Sequence, residues 1–269
     1  MSLKIIVLAK QVPDTRNVGP DAMTPEGTVN RAALPAVFNP EDLNALEQAL
    51  RLKEKNPGST ITMLTMGLPK AAEVLKEGIY RGADEGILIS DRPLGGADTL
   101  ATSYTLAQAI KKIGDYDIII CGRQAIDGDT AQVGPQVAEK LGLTQITYTE
   151  EILSLDKAAG KIVARRHIDG GVETVEGPLP IVVTVNGSAA PCRTRNVKRV
   201  WANKNREFTT WGAADIDADP MQIGKTGSPT NVKAVKSIVF KAKENKTLTS
   251  SDADVESLIV ELMESNTIG

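Results

Sequence analysis

Three glycines, a hydroxyl, two side-chain amides, an arginine and two aspartates fall within GRQAIDGDTAQVGP, residues 122–135. The segment lies between an apolar run, DIIIC at 117–121, and a stretch of helical spacing that begins at Val133. A loop so placed presents free backbone amides and the positive end of a helix dipole at a sheet edge, an arrangement suited to phosphate. Gly122, Gly128 and Gly134 let the backbone turn and approach a ligand closely. Thr130 and Gln132 offer neutral donors, and Arg123 is placed to offset the charge of a pyrophosphate. Asp127 and Asp129 are poor neighbours for a phosphate and read as caps of local amides or braces of the loop. An ordinary capped strand–helix turn would show the same residue types, and neither GxxxxGKS/T nor GxGxxG occurs.

A second loop, SDRPLGGADTLATS at 90–103, repeats the arrangement. Asp98 or Thr99 can cap the following helix, and Gly95 and Gly96 open space before it. Capping alone accounts for Asp98, but two such loops side by side favour an extended ligand such as a dinucleotide. The connection from Lys10 to Asn39 is long for a strand–helix loop, which itself points to function. Other candidates are weaker. His167 is the only histidine; without a partner it reads as a surface residue. No Ser-His-Asp, HExxH or Cys-His constellation supports hydrolase chemistry. Met66 either lines a pocket or belongs to the core. Arg193, Arg195, Lys198 and Arg199 form a solvated basic face or a docking surface.

The elements that must position these loops follow from periodicity. Residues 4–9, 60–65, 86–90 and 117–121 have strand length and composition. Helical spacing occurs at 40–56 (Asn39 at the N-cap, Pro40 at the first position, Leu43, Leu46 and Leu50 on one face), 69–81, 98–113 and 133–141. In the third of these, Leu100, Tyr104, Ala107 and Ile110 share a side. Strands alternating with helices predict a parallel α/β sheet with helices on both faces and ligands outside the carboxyl ends of the strands. Beyond Glu150 come four strand-like runs, at 152–155, 161–167, 172–175 and 181–185. From Ser188 the chain is polar and turn-rich, until Val255, Leu258, Ile259, Leu262 and Met263 form an apolar stripe. That stripe needs a surface, so the tail reads as an arm on another protein rather than a disordered end. The expected division is a nucleotide-binding α/β domain with added strands, 1–187, and a docking loop plus arm, 188–269.

The bulk properties agree. The chain has 269 residues, 41% hydrophobic and 3% aromatic, so its core must be aliphatic, as parallel strands under helices require. A net charge of −3 gives no field for nucleic acid. Cys121 and Cys192 have no metal-ligand spacing. The apolar start is too short for a signal peptide and no stretch spans a bilayer, so a cytoplasmic protein without membrane insertion is expected.

From Val7 to about Leu143 the sequence resembles the beta subunit of electron-transfer flavoproteins. The matching pieces are KQVPDT (10–15), NPED (39–42), TMG (65–67), GAD (82–84), GGADTLATS (95–103) and residues 122–135. Looser matches are PIVVTV (180–185) and GSPT (227–230). The resemblance implies a Rossmann-like, adenine-nucleotide-binding domain whose C-terminal part reaches onto an alpha subunit, forming a heterodimer. It implies cofactor contacts at Leu8, Ala9, Lys10, Asn39, Asp42, Met66, Gly67, Ala97, Asp98, Thr99 and Thr102. Further contacts are implied at Gly122, Arg123, Gln124, Ala125, Ile126, Gly128, Asp129, Thr130, Ala131, Gln132 and Val133, with no catalytic side chain and no metal. The family has two branches. One holds AMP as a structural ligand. The other holds a second FAD, which takes hydride from NADH and divides the electron pair. One electron goes to the alpha-subunit FAD and an acyl-CoA dehydrogenase-type flavoenzyme, the other to ferredoxin or flavodoxin. KQVPDT, GGADTLATS and the 122–135 loop look like the FAD branch, since the AMP branch carries a bulkier, more acidic loop where Gly128 stands. A stand-alone nucleotide-binding protein of the universal-stress type is a rival that would not need the C-terminal arm. One departure is that Pro191 falls about where relatives carry a hydrophobic docking residue, commonly Leu.

Overall fold

A computed structural model describes residues 1–14, 35–230 and 245–268; Thr15 of the KQVPDT piece and most of the 10–39 connection lie outside them. The first half alternates as the periodicity requires: β1 (Lys4–Leu8), β2 (Gln11–Pro13), β3 (Ala36–Phe38), α1 (Pro40–Lys55), β4 (Thr60–Met66), α2 (Ala72–Arg81), β5 (Glu85–Ile89), α3 (Thr99–Ile113), β6 (Ile118–Gly122) and α4 (Val133–Leu141). Then follow β7 (Thr144–Asp156), β8 (Lys161–Ile168), β9 (Gly171–Pro178), β10 (Ile181–Val185), α5 (Val197–Asn203), β11 (Thr209–Trp211) and α6 (Asp252–Glu264). The main sheet has nine strands in the order β11-β5-β4-β1-β6-β10-β7-β8-β9. It is parallel from β11 through β7, while β8 and β9 continue it antiparallel.

Burial alternates along the strands and assigns the helices to two faces. Ile5, Val7, Ile61, Met63, Ile118 and Ile120 pack against α1 and α2 through Leu46, Leu50, Leu75 and Ile79. Ile6, Leu8, Leu64, Ile87, Ile119 and Val182 face Leu106, Ile110, Val137 and Ala138 of α3 and α4. The connection from β1 leads through α1 to β4 on one side, whereas β6 lies on the other side of β1. The strand order therefore reverses between β1 and β6, where such folds open a crevice at their carboxyl ends.

Three expectations need correction. Residues 69–71 form a tight 3-10 turn before α2, where Pro69 starts the segment. Leu100 is exposed in α3; Ala101, Leu106, Ala107 and Ile110 are buried. β7 starts at Thr144, eight residues before Ile152. The 181–185 run, whose place in the sheet order the sequence left open, lies between β6 and β7 as β10, fully buried, which its continuous IVVTV run suits.

Much of the polar segment after Ser188 stays with the sheet. β11 adds a parallel edge strand beside β5, and Ile216 and Ile223 are buried on the α3 face. Three residues of the basic run, Arg193, Arg195 and Arg199, reach back to the α1–α2 side, while Lys198 is exposed. Arg193 reaches Glu47 at 3.0 Å and also pairs with Glu54, both on α1; Arg195 lies 2.7 Å from Glu77 of α2; Arg199 donates to the Ile79 and Ala83 carbonyls. His167 has a partner after all, with Nδ1 3.3 Å from Glu150 Oε1. In α6 no residue is buried, and Val255, Leu258, Ile259 and Met263 are all exposed. No helix among the described residues is long and apolar enough to cross a membrane.

The Glu47 side chain is only 7% exposed, so removing Arg193 leaves a buried carboxylate with Arg51 alone. Arg193→Ala is expected to lower the unfolding free energy by about 2 kcal/mol in urea titration, and Lys198→Ala to leave it within about 0.5 kcal/mol.

Candidate functional site

The first turn of α1 organises the switch point. Asp42 accepts the Lys10 amide at 2.8 Å, just beyond β1, and the Gly122 amide at 2.9 Å, at the end of β6. Burial pushes this carboxyl up to about 7, against the pull of those two amides and of Asn39. Glu41 holds Arg123, Oε1 to Nη2 at 2.8 Å, and accepts the Gln124 amide at 2.9 Å. Asn39 precedes the helix but does not cap it with its side chain. Its Nδ2 donates to the Gln124 carbonyl at 2.8 Å, and its Oδ1 accepts the Ile126 amide at 3.2 Å. All three polar side chains reach outward, because the loop leaving β6 competes successfully for them.

That loop is braced locally. The Gly128 and Asp129 amides donate to the Ala125 carbonyl, at 3.2 and 2.9 Å. Asp129 accepts Gln124 Nε2 at 2.8 Å, and Asp127 pairs with Lys10 at 2.7 Å. Both aspartates thus brace the loop. Arg123 is already matched by Glu41, which raises its pKa, so the donors left for an anion are mainly backbone. The amides of Thr130, Ala131 and Gln132 have no protein partner among the described residues. Ala131 has φ 52° and Gln132 is right-handed; this alternation points successive N–H groups into one concavity that suits an anion. α4 starts at the next residue and adds its dipole.

The opposite wall is the start of α3. Asp98 caps it, accepting the Leu100 and Ala101 amides at 3.0 Å each. Burial would raise the Asp98 carboxyl, but bonds from Ala101, Thr230 and Leu100 hold it below its usual value. Its own amide donates to Ser228 Oγ at 2.8 Å, tying the 223–230 strap to the rim. Thr99 Oγ1 meets Gln132 Oε1 at 2.8 Å and joins the two walls.

Between these walls lies a cleft of about 430 Å³. Leu8, Ala9, Lys10, Asn39, Asp42, Met66, Gly67, Ala97, Asp98, Thr99, Thr102, Gly122, Arg123, Gln124, Ala125, Gly128, Asp129, Thr130, Ala131, Gln132 and Val133 line it. Ile126 does not; the grip of Asn39 on its amide keeps it in the outer turn. The sequence names no contact at Leu64, Leu94, Leu106 or Cys121 and marks Gly96 and Gly134 only as backbone that makes room; all six line the cleft. Strand alternation from Met66 back to Leu64, and one helical turn from Thr102 to Leu106, would have found two of them. Unpaired amides beside an apolar recess formed by Leu8, Leu64, Leu94 and Leu106 fit a phosphate-bearing nucleotide with an aromatic base.

The three loop glycines serve different ends. A Cβ on Gly122 would lie 2.5 Å from Asp42 Oδ1 and 2.8 Å from the Asp42 nitrogen. One on Gly134 would lie 2.6 Å from Thr184 Cγ2, while one on Gly128 would meet nothing within 4 Å. Gly122→Ala is therefore expected to cost about 3 kcal/mol, because the backbone of α1 cannot yield, and Gly128→Ala less than about 0.5 kcal/mol. Chemical denaturation of the two variants checks the contrast.

The comparisons with known proteins agree with this geometry. Residues 26–216 match the electron transfer flavoprotein domain. The chain is 46% identical over 231 residues to electron transfer flavoprotein subunit beta of Clostridium acetobutylicum, covering 86% of each chain. It is 44% identical to the caffeyl-CoA reductase-Etf complex subunit CarD of Acetobacterium woodii, again covering 86% of each. It is 40% identical to protein FixA of Azotobacter vinelandii, covering 94% of this chain and 90% of that one. The chain belongs to the electron transfer flavoprotein family, among its beta subunits.

Proposed function

We propose that the cleft holds FAD and that this beta subunit, joined to an alpha subunit, receives hydride from NADH. Electrons then pass to the alpha-subunit FAD with an acyl-CoA dehydrogenase-type flavoenzyme, and to ferredoxin or flavodoxin. The observation that carries the reading is the unpaired amide run 130–132 at the start of α4, in a cleft that continues to the start of α3. A mononucleotide needs only one such wall; a dinucleotide uses both. The 44% identity to CarD, a subunit of a caffeyl-CoA reductase-Etf complex, supports a reductase-type flavoenzyme as a partner. AMP is the alternative occupant.

The chain's residues do the holding. The amides of Thr130, Ala131 and Gln132 and the α4 dipole take the pyrophosphate, and Asp98 fixes the α3 wall. The buried leucines keep water from the recess. When bound, FAD supplies the hydride acceptor and releases electrons singly. The exposed stripe of α6 covers the alpha subunit, along with other parts of 188–269.

Three outcomes are expected. The heterodimer should contain two flavins, and anaerobic NADH should bleach flavin absorbance; one flavin with AMP and no response to NADH sinks the FAD reading. Gly128→Glu has room in the fold, so its melting temperature should match wild type while FAD affinity drops more than AMP affinity through repulsion of the pyrophosphate. Truncation after Lys246 should weaken the heterodimer in gel filtration and leave the sheet domain folded.

A further inference from the structure

Tyr148 stands in the left-handed region, with φ 58°. A bulky aromatic residue occupies that region only where its surroundings force it there. β7 pairs in parallel with β10 at Ile146–Val183 and again at Thr149–Val185, so β7 carries one residue more than its partner across this step. Bulges of this kind re-aim a side chain and are frequent beside binding sites. This one is held from two sides. The Tyr148 amide donates to Thr184 Oγ1 at 3.2 Å, and Arg166 donates from Nε to the Thr147 carbonyl at 2.9 Å.

The re-aimed ring lies over Arg123, whose guanidinium carbon is 5.3 Å from the ring centroid. Arg123 lines the cleft. Glu41 takes its Nε and Nη2, and a side-chain hydrogen bond joins the guanidinium to the Tyr148 hydroxyl. A guanidinium gripped at one edge can still pivot on its long side chain; an aromatic face beside it removes that freedom. A residue suited to the backbone alone at φ 58° would be Gly or Asn. The ring therefore has a use that outweighs the strain.

We propose that Tyr148 is a positioning residue for the phosphate-bearing nucleotide of the cleft, acting through Arg123. The ring and hydroxyl of Tyr148, together with Glu41, hold the guanidinium at the cleft wall. The assignment rests on the nucleotide reading above and adds to it a residue that does not itself line the cleft.

The test uses the heterodimer stripped of nucleotide, with AMP as the probe, and measures AMP affinity by calorimetry and stability by urea titration. Tyr148→Asn should unfold at the same or higher urea, because Asn tolerates φ 58°, yet bind AMP about tenfold more weakly. Tyr148→Phe keeps the ring but loses its hydroxyl, and its AMP affinity should fall between those of wild type and Tyr148→Asn. In an Arg123→Gln background, Tyr148→Asn should cause no further loss. Wild-type affinity in Tyr148→Asn, an undiminished loss in the Arg123→Gln background, or a lowered urea midpoint would each overturn the proposal while leaving the nucleotide reading intact. A wild-type heterodimer that takes neither AMP nor FAD would overturn both.

Discussion

Everything at the carboxyl edge of this sheet depends on one carboxyl group. Asp42, in the first turn of α1, accepts the amide that follows β1 and the amide that ends β6. These are the two strands between which the chain changes direction across the sheet. Parallel strands end with N–H groups that the ladder leaves unpaired, and burial makes an unpaired group costly. Asp42 satisfies two at once and fixes the width of the crevice. Gly122 follows from that contact, since any side chain there would collide with the helix that carries Asp42.

With the crevice set, charge inside it is almost wholly neutralised from within. Lys10 is matched by Asp127 and Arg123 by Glu41, and Asp98 is spent on the α3 cap. What the cleft has left to offer is mainly backbone: three amides with no protein partner among the described residues, and a helix dipole. Such a site takes an anion mainly by shape and oriented dipoles. Its affinity therefore depends on loop geometry, which explains why so many side chains of 122–134 are occupied in holding the loop. Asn39, Glu41, Gln124 and Asp129 all bond to it.

The C-terminal segment divides by its apolar content. Ile216 and Ile223 supply enough burial to bring the chain back over α3, and β11 then extends the sheet. Arginines 193, 195 and 199 return to α1 and α2 because acidic residues and helix-end carbonyls lie within reach. α6 has an apolar stripe but no such surface in the described chain, and none of it is buried.

Read alone, the sequence determined what local physics controls: the alternating strands and helices, the parallel sheet, the glycine loops at strand ends, and the Asp98 cap. Each follows from periodicity or from bonds within a few residues. Only tertiary structure decided which side chains those loops would claim. Asn39 looked like a cap and became a brace for Gln124 and Ile126, because partners 85 and 87 residues away bind it. Leu64 and Leu106 line the cleft, which the pattern of apolar residues could not show, since lining depends on where the wall opens. Tyr148 and its bulge were invisible, as was the place of β10 between β6 and β7. Strand neighbours and long-range hydrogen bonds are set by competition among distant groups, and no periodicity in one stretch of chain records that competition.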